Sequence, residues 1–172
     1  TLIMKKISKI LWVATLLVAA TPACAQTRKQ LLDAEWKLQK GELTAQAGDA
    51  NFDDAAWRVV NLPHDWSIEG VPSENEPSGN DGGYRPTGKG WYRKTFEMGK
   101  TDELKIGKAE DKRFSLYFEG VYMNAEVFVN GKSLGTHHYG YSSFIHDVTD
   151  LLKEGKNTIA VSVDNSQQKN SR

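Results

Sequence analysis

The chain has 172 residues, and its 22 basic and 22 acidic side chains give a formal net charge of zero at neutral pH. Hydrophobic residues make up 39% of the sequence, which is enough for one domain with a buried core. Because the charges are balanced and interspersed, no basic surface is available to follow a phosphate backbone. The composition therefore predicts one β-rich domain and argues against nucleic acid as a partner.

Residues 1–25 have the pattern of a secretory signal peptide. Lys5 and Lys6 precede an apolar run at 10–20, which is shorter than the roughly 20 residues of a membrane-spanning helix. Residues 23–25 (ACA) then supply the small side chains of a cleavage motif. We therefore expect a mature chain that begins at Gln26 and is exported, to the periplasm or to the medium.

Cys24 is the only cysteine of the chain and allows two interpretations. It is either the middle residue of the cleavage motif, discarded with the signal, or the lipid-carrying cysteine of an outer-membrane lipoprotein. Residues 21–23 (TPA) match the lipoprotein pattern weakly, which favours the first interpretation. In both cases the mature domain contains no disulfide, so its stability depends on packing.

From Leu31 onward, short runs of alternating apolar and polar residues are separated by turn residues. This pattern is typical of an all-β sandwich rather than of alternating strands and helices. Phe114, Leu116 and Phe118 should share one face of their strand. The predicted strands are 36–38, 57–62, 91–97, 113–119, 125–129, 132–138, 143–145 and 158–163.

Asn130 and Gly131 stand between two alternating runs and predict a β-hairpin. A type I′ turn needs positive φ at both central positions, which Asn-Gly tolerates best. We expect Val127 and Val129 on the core face of this hairpin, with Glu126 and Phe128 on the opposite face.

Three connecting segments have turn chemistry of their own. Residues 51–54 (NFDD), which lead into 55–57 (AAW), predict a capped helical turn whose Phe52 and Trp57 fill the core. Residues 147–155 predict a single helical turn capped by Thr149 or Asp150 and ended by Gly155. Residues 67–90 are rich in Gly, Pro, Ser and Asn and predict one long loop that carries Tyr84 and Arg85. Loops of this length are often mobile or functional.

No catalytic or metal-binding pattern stands out. The four histidines, His64, His137, His138 and His146, lack metal-ligand spacing, and no cysteine remains to assist them. His137 and His138 are adjacent on a predicted strand, so one should point inward and the other to solvent. No serine lies in a nucleophile-elbow frame and no glycine-rich stretch has a phosphate-loop ending. The acidic residues, taken one by one, are interpreted as solvated or turn-capping.

Asp65 is the most interesting acid, because it lies between His64 and Trp66 where a predicted strand ends. The three side chains could together face a sugar. Closure of the sandwich edge by proline and a large aromatic explains the same residues, and for His64 and Trp66 this structural role is favoured.

Four motifs, taken in order, resemble one known family. They are residues 62–66 (LPHDW), 89–96 (KGWYRKTF), 116–132 (LYFEGVYMNAEVFVNGK) and 157–161 (NTIAV). Together they resemble the amino-terminal sugar-binding domain of glycoside hydrolase family 2, which contains β-galactosidases, β-glucuronidases and β-mannosidases. The resemblance implies a jelly-roll β-sandwich similar to galactose-binding domains, spanning residues 26–172 and incomplete at its carboxy terminus. An immunoglobulin-like domain and a (β/α)₈ barrel would follow it.

In such an enzyme both catalytic glutamates belong to the barrel, so the resemblance implies no catalytic residue, cofactor or metal ligand within this chain. A metal ion could accompany the barrel. Loops of the first domain help to hold the terminal sugar, which makes His64, Asp65, Trp66, Arg85 and Arg172 the candidate substrate contacts. The expected partners are a carbohydrate and the remaining domains of the same polypeptide.

The sequences of residues 62–66 (LPHDW) and 90–94 (GWYRK) are most similar to the β-galactosidase branch of the family. A β-glucuronidase or β-mannosidase is the alternative within the family. A different class is a stand-alone carbohydrate-binding module or lectin that uses Trp66, Tyr84 and Trp91 as stacking platforms.

Overall fold

The computed structural model describes residues 29–98 and 113–166. Residues 29–32 belong to a separate unit without regular structure, and the β-rich body begins at Asp33. Among the described residues of the body, two short 3₁₀ helices occur, at Ala45–Gly48 and Asn80–Gly82. Its strands are β1 Trp36–Lys40, β2 Arg58–Val60, β3 Lys89–Met98, β4 Ser115–Phe118, β5 Ala125–Val129, β6 Lys132–His137, β7 Phe144–Asp147 and β8 Gly155–Asp164.

The strands form two antiparallel sheets. A six-stranded sheet has the order β2-β1-β3-β8-β5-β6, and a two-stranded sheet joins β4 to β7. His137 of β6 stacks on Phe144 of β7 with ring centroids 4.2 Å apart, which connects the two sheets. Leu116 and Phe118 of β4 are half-buried while Ser115 and Tyr117 are exposed, so the small sheet has one inner face. The predicted all-β sandwich is confirmed.

The middle of the large sheet is buried on both faces, which corrects one expectation. Val127 and Val129 are fully buried as predicted, but Phe128 on the opposite face is only 6% exposed. Its partner across the ladder is Ala160, and both belong to a core cluster with Ala47, Trp57 and Trp91. The expectation that Phe128 faces away from a core was wrong, because the chain between β1 and β2 covers that face.

The segment that covers this face has one predicted turn and one that was not predicted. The predicted turn is closed by a bond from Trp57 N–H to the carbonyl of Asp54 at 3.1 Å, and Asp53 caps it by accepting the N–H of Ala55 at 3.0 Å, although it is not a regular helix. The 3₁₀ helix Ala45–Gly48 was not predicted. Phe52 and Trp57 pack edge to face with centroids 5.6 Å apart. Their predicted role as core residues is confirmed.

The hairpin turn has the predicted geometry, since φ is +49° at Asn130 and +87° at Gly131. The turn at 147–155 is also present, closed by a bond from Leu152 N–H to the carbonyl of Val148 at 3.2 Å. Its capping residue is Asp147, whose carboxylate accepts the N–H of Thr149 at 2.9 Å. Gly155 does not end the turn but begins β8.

Several strand boundaries differ from the predicted ones. β3 and β8 are longer because they pair with each other along their whole length, so the ladder continues past the alternating residues. The strand predicted at 57–62 is only Arg58–Val60, since Trp57 turns into the core. Within residues 29–98 and 113–166, no helix has the length and apolar character needed to cross a membrane. The predicted signal peptide lies outside the described residues.

Candidate functional site

Three segments meet at the end of the large sheet where β3 begins and β8 ends, and Asn165 joins them. Its backbone N–H donates to the carbonyl of Gly88 at 3.0 Å, and its side-chain Oδ1 accepts the N–H of Gly88 at 2.8 Å. Its Nδ2 donates to Oγ of Ser67 at 3.3 Å. Asn165 is only 7% exposed, so these bonds fix the loop after residue 66 against the ends of both strands.

Trp66 is a core residue at this end. Its ring stacks on Tyr92 with centroids 5.8 Å apart and an angle of 16°, and it is 6% exposed. A Cβ at Gly90 would lie 2.7 Å from the Trp66 ring, so only glycine fits beneath it. Trp91 is also buried and Tyr84 is half-buried. The suggestion that Trp66 and Trp91 are exposed stacking platforms is therefore wrong.

His64 lies at the centre of a polar network. Its Nδ1 is 2.8 Å from the hydroxyl of Tyr92, and its Nε2 is 3.0 Å from Oε1 of Glu69. Arg58 donates to the other oxygen of Glu69 at 2.6 Å and is also 3.1 Å from Nε2 of His64. With a proton on Nε2, His64 donates to the carboxylate of Glu69, and its Nδ1 bonds to the hydroxyl of Tyr92.

The charges of this network follow from its contacts. Burial, and then the negative charges of Asp65 and Glu69, raise the pKa of Tyr92 far above its ordinary value, so its phenol stays protonated. Hydrogen bonds from Arg58 and His64 lower the pKa of Glu69, which is therefore a carboxylate. His64 thus supports the loop from within through its contacts with Tyr92 and Glu69.

Asp65 differs from its two neighbours because it is exposed. One carboxylate oxygen accepts the backbone N–H of Ser67 at 2.7 Å, which fixes the side chain. No other hydrogen bond to Asp65 occurs among the described residues. Its second oxygen is therefore available to accept a hydrogen bond from a hydroxyl group, and a charged acceptor makes that bond strong.

The predicted loop 67–90 is present up to the start of β3 and is internally bonded. Arg85 lies in it half-buried, and its backbone carbonyl accepts the hydroxyl of Ser78 at 2.7 Å. Its guanidinium forms no ion pair within residues 29–98 and 113–166, and no hydrogen bond joins Arg85 to Asp65. Arg172 lies outside the described residues.

The remaining histidines have structural contacts. His137 points inward and lies 3.1 Å from Oγ of Ser142, whereas exposed His138 lies 2.9 Å from Oδ1 of Asn124. This confirms the predicted alternation. Burial, and then His137, lower the pKa of His146. In the part of the chain that the structure describes, no three His, Cys, Asp or Glu side chains are grouped as metal ligands.

Sequence reasoning missed the supporting residues of this end, Arg58, Glu69 and Tyr92. Tyr92 lies 28 positions from His64 in the chain, so no local pattern links them. The one available signal was the alternation of β3, which sets Tyr92 on the same face as its cross-strand partner Val161.

The chain matches the family model described as glycosyl hydrolases family 2, sugar binding domain, over residues 32–171. It therefore belongs to this family, as the four motifs indicated.

Named relatives point to two activities. A β-galactosidase from Bacteroides ovatus is 50% identical over 141 residues, which cover 81% of this chain and 16% of that protein. A β-glucuronidase from Formosa agariphila is 34% identical over 137 residues, covering 77% and 13%. Among solved structures, a β-glycosidase from Bacteroides vulgatus superimposes with a TM-score of 0.70 at 42% identity, covering 78% and 17%. The chain thus spans less than one fifth of the length of these relatives.

Proposed function

We propose that this chain is the amino-terminal sugar-binding domain of an exported family 2 glycoside hydrolase that removes terminal β-galactosyl units. The 50% identity to a β-galactosidase is the observation that carries this proposal. The resemblance implies hydrolysis with retention, which uses a nucleophilic and an acid/base carboxyl group about 5 to 5.5 Å apart. We assign both groups to a barrel domain beyond this chain.

Within this proposal, Asp65 contacts the terminal sugar. Its carboxylate is exposed, is held at one oxygen by Ser67 N–H, and stands on a loop fixed by Asn165. A fixed acceptor holds a sugar hydroxyl without losing side-chain freedom on binding. His64 and Trp66 position Asp65 from below through Tyr92 rather than touching the sugar themselves.

A β-glucuronidase is the second candidate, supported by the name of the Formosa agariphila relative. A glucuronide carries a carboxylate, which Asp65 would repel and a cation would attract. Arg58 is already paired with Glu69, whereas Arg85 forms no ion pair with a described residue. A galactoside has no such charge and is compatible with Asp65, which favours the first candidate. A β-mannosidase and a stand-alone carbohydrate-binding module remain further alternatives.

The test compares 4-nitrophenyl β-galactoside, β-glucuronide and β-mannoside as substrates of the complete polypeptide. We expect the highest kcat/KM for the galactoside. Asp65→Asn should lower it about 10- to 100-fold, since a hydrogen bond to a charged group is worth about 1.5–3 kcal/mol. Asp53→Asn is the matched control, because Asp53 is also exposed and also caps an N–H two residues later. A glucuronide preference, or equal effects of the two variants, would contradict the proposal.

A further inference from the structure

Three exposed tyrosines form a continuous aromatic surface that the proposed function does not use. Tyr122, Tyr139 and Tyr141 are 38%, 62% and 77% exposed. Ring centroids lie 5.3 Å apart for Tyr122 and Tyr141, and 5.8 Å apart for Tyr139 and Tyr141, with interplanar angles of 63° and 62°. We call these three residues the tyrosine patch. A contiguous exposed aromatic surface, unlike a single exposed ring, usually marks a binding site.

The loops that carry the patch are fixed to each other. A Cβ at Gly140 would clash with Cδ2 of Tyr122, so the ring of Tyr122 packs where only a glycine leaves room. His138 and Asn124, one from each loop, are joined by a hydrogen bond of 2.9 Å. The ring of Tyr122 and the two loops are therefore held in place before any ligand arrives, which lowers the entropy lost on binding.

The patch lies at the same end of the large sheet as Asp65. Asp164, the last residue of β8, donates its N–H to the carbonyl of Met123 at 3.0 Å, and Met123 follows Tyr122 directly. The next residue, Asn165, bonds to Ser67 and Gly88 on the other side. Since β8 separates β5 from β3, the starts of those two strands are about 10 Å apart, or two strand spacings.

We propose that the tyrosine patch binds further sugar rings of an oligosaccharide or polysaccharide whose terminal unit lies at Asp65. This inference rests on the proposed function and adds that the natural substrate is a chain of several sugars. The weakly positive C–H groups on one face of a pyranose are attracted to the negative face of an aromatic ring. Asn124 and His138, which are bonded to each other next to the patch, carry amide and imidazole groups of the kind that can also hydrogen-bond to hydroxyls. A surface that combines tyrosine rings with such polar groups is better suited to binding a carbohydrate than to binding the aliphatic surface of a protein partner.

The first experiment measures binding without turnover. The complete polypeptide is run in native gels that contain soluble β-1,4-galactan, xyloglucan or glucuronoxylan, and in a gel without polysaccharide. We expect retardation by at least one polysaccharide and a loss of affinity of about 3- to 10-fold in Tyr141→Ala and Tyr139→Ala. Tyr141→Phe keeps the ring and should be retarded like the parent. Tyr117→Ala, on the outer face of β4, removes an exposed tyrosine elsewhere and should also behave like the parent.

The second experiment separates this inference from the proposed function. For the 4-nitrophenyl glycoside that the enzyme cleaves, kcat/KM of Tyr141→Ala should stay within about twofold of the parent value, whereas Asp65→Asn should lower it. If no polysaccharide retards the parent, or if Tyr141→Ala is retarded as strongly as the parent, the tyrosine patch is not a sugar site. Equal losses on the small glycoside and in the gel would overturn it as well and would indicate contact with another domain. A failure of Asp65→Asn alone would instead contradict the proposed function.

Discussion

The carboxylate of Asp54 accepts a hydrogen bond of 2.9 Å from Nε of Arg93, a residue that is only 2% exposed. Lys37 donates to the other oxygen of Asp54 at 2.6 Å. Arg93 also donates to the carbonyl of Ala47 and lies over the ring of Phe52, 5.4 Å from its centroid. Two ion pairs that share Asp54, one with Lys37 and one with Arg93, therefore tie β1 and β3 to the segment that covers the core.

Replacing Asp54 with alanine should destabilise the fold strongly. The change leaves the buried guanidinium of Arg93 without its counter-charge, and breaking a buried pair in this way costs about 3–5 kcal/mol. Urea unfolding followed by tryptophan fluorescence measures the loss. Asp53→Ala is the control, because that neighbour caps only the N–H of Ala55 and should cost about 1 kcal/mol. Similar losses in the two variants would refute the importance of the pair.

The contribution of Asp54 should depend on pH. Burial opposes its charge, but the hydrogen bonds and charges of Lys37 and Arg93 outweigh burial and lower its pKa below the ordinary 3.8. A carboxyl with a lowered pKa stabilises the fold above its unfolded-state pKa, and the contribution is lost as pH falls through the folded value. The difference in unfolding free energy between parent and Asp54→Asn should thus be largest near neutral pH and shrink below 3.8. A difference that stays constant down to acid pH would argue against this assignment.

Gly131→Val should destabilise the hairpin by about 1–3 kcal/mol. The added Cβ has ordinary contacts, the nearest at 3.7 Å from the N of Ala50, so the penalty comes from φ of +87°, which a β-branched residue adopts poorly. Lys132→Ala, one position later, should have little effect. In the complete polypeptide the melting temperature should fall while KM stays unchanged. A normal melting temperature with weaker galactoside binding would mean that the turn reaches the active site.

The mature protein should begin at Gln26, and residues 26–172 should contribute no thiol to it. The prediction depends on the signal-peptide pattern of residues 1–25, which combines Lys5, Lys6, the apolar run at 10–20 and the small residues at 23–25. Intact-mass and amino-terminal peptide analysis of exported protein will check it. Diacylglycerol on Cys24 would show that the lipoprotein interpretation is the right one.

A polypeptide of residues 26–172 should not hydrolyse glycosides. The expectation follows from our assignment of both catalytic carboxyl groups to a barrel outside this range, and the chain spans only 16% of its Bacteroides ovatus relative. The measurement is release of 4-nitrophenol from a β-galactoside by the purified fragment. Turnover that disappears when one acidic residue of the fragment is replaced would disprove it.

The strands of the sandwich, the hairpin turn and the family could be determined from the sequence, because each depends on residues close together in the chain. Alternation with a period of two reports the two faces of a strand, and Asn130-Gly131 specifies its turn through backbone φ alone. Residues 62–66 also located the loop that carries Asp65. What alternation could not report is which faces are covered.

The tertiary structure decided which faces of the strands are covered by other parts of the chain. Phe128 is buried because the segment with Ala47 and Trp57 covers its face. Arg93 can be buried because its charge is neutralised by Asp54, a residue 39 positions away in the sequence. The tyrosine patch arises where Tyr122 meets Tyr141 across two loops, and Trp66 is buried because Tyr92 stacks beneath it. Burial and electrostatic pairing depend on the neighbours that folding brings together from distant parts of the chain. The sequence therefore specifies which side chains are available. The packing of the sandwich decides which of them are exposed and could contact a sugar.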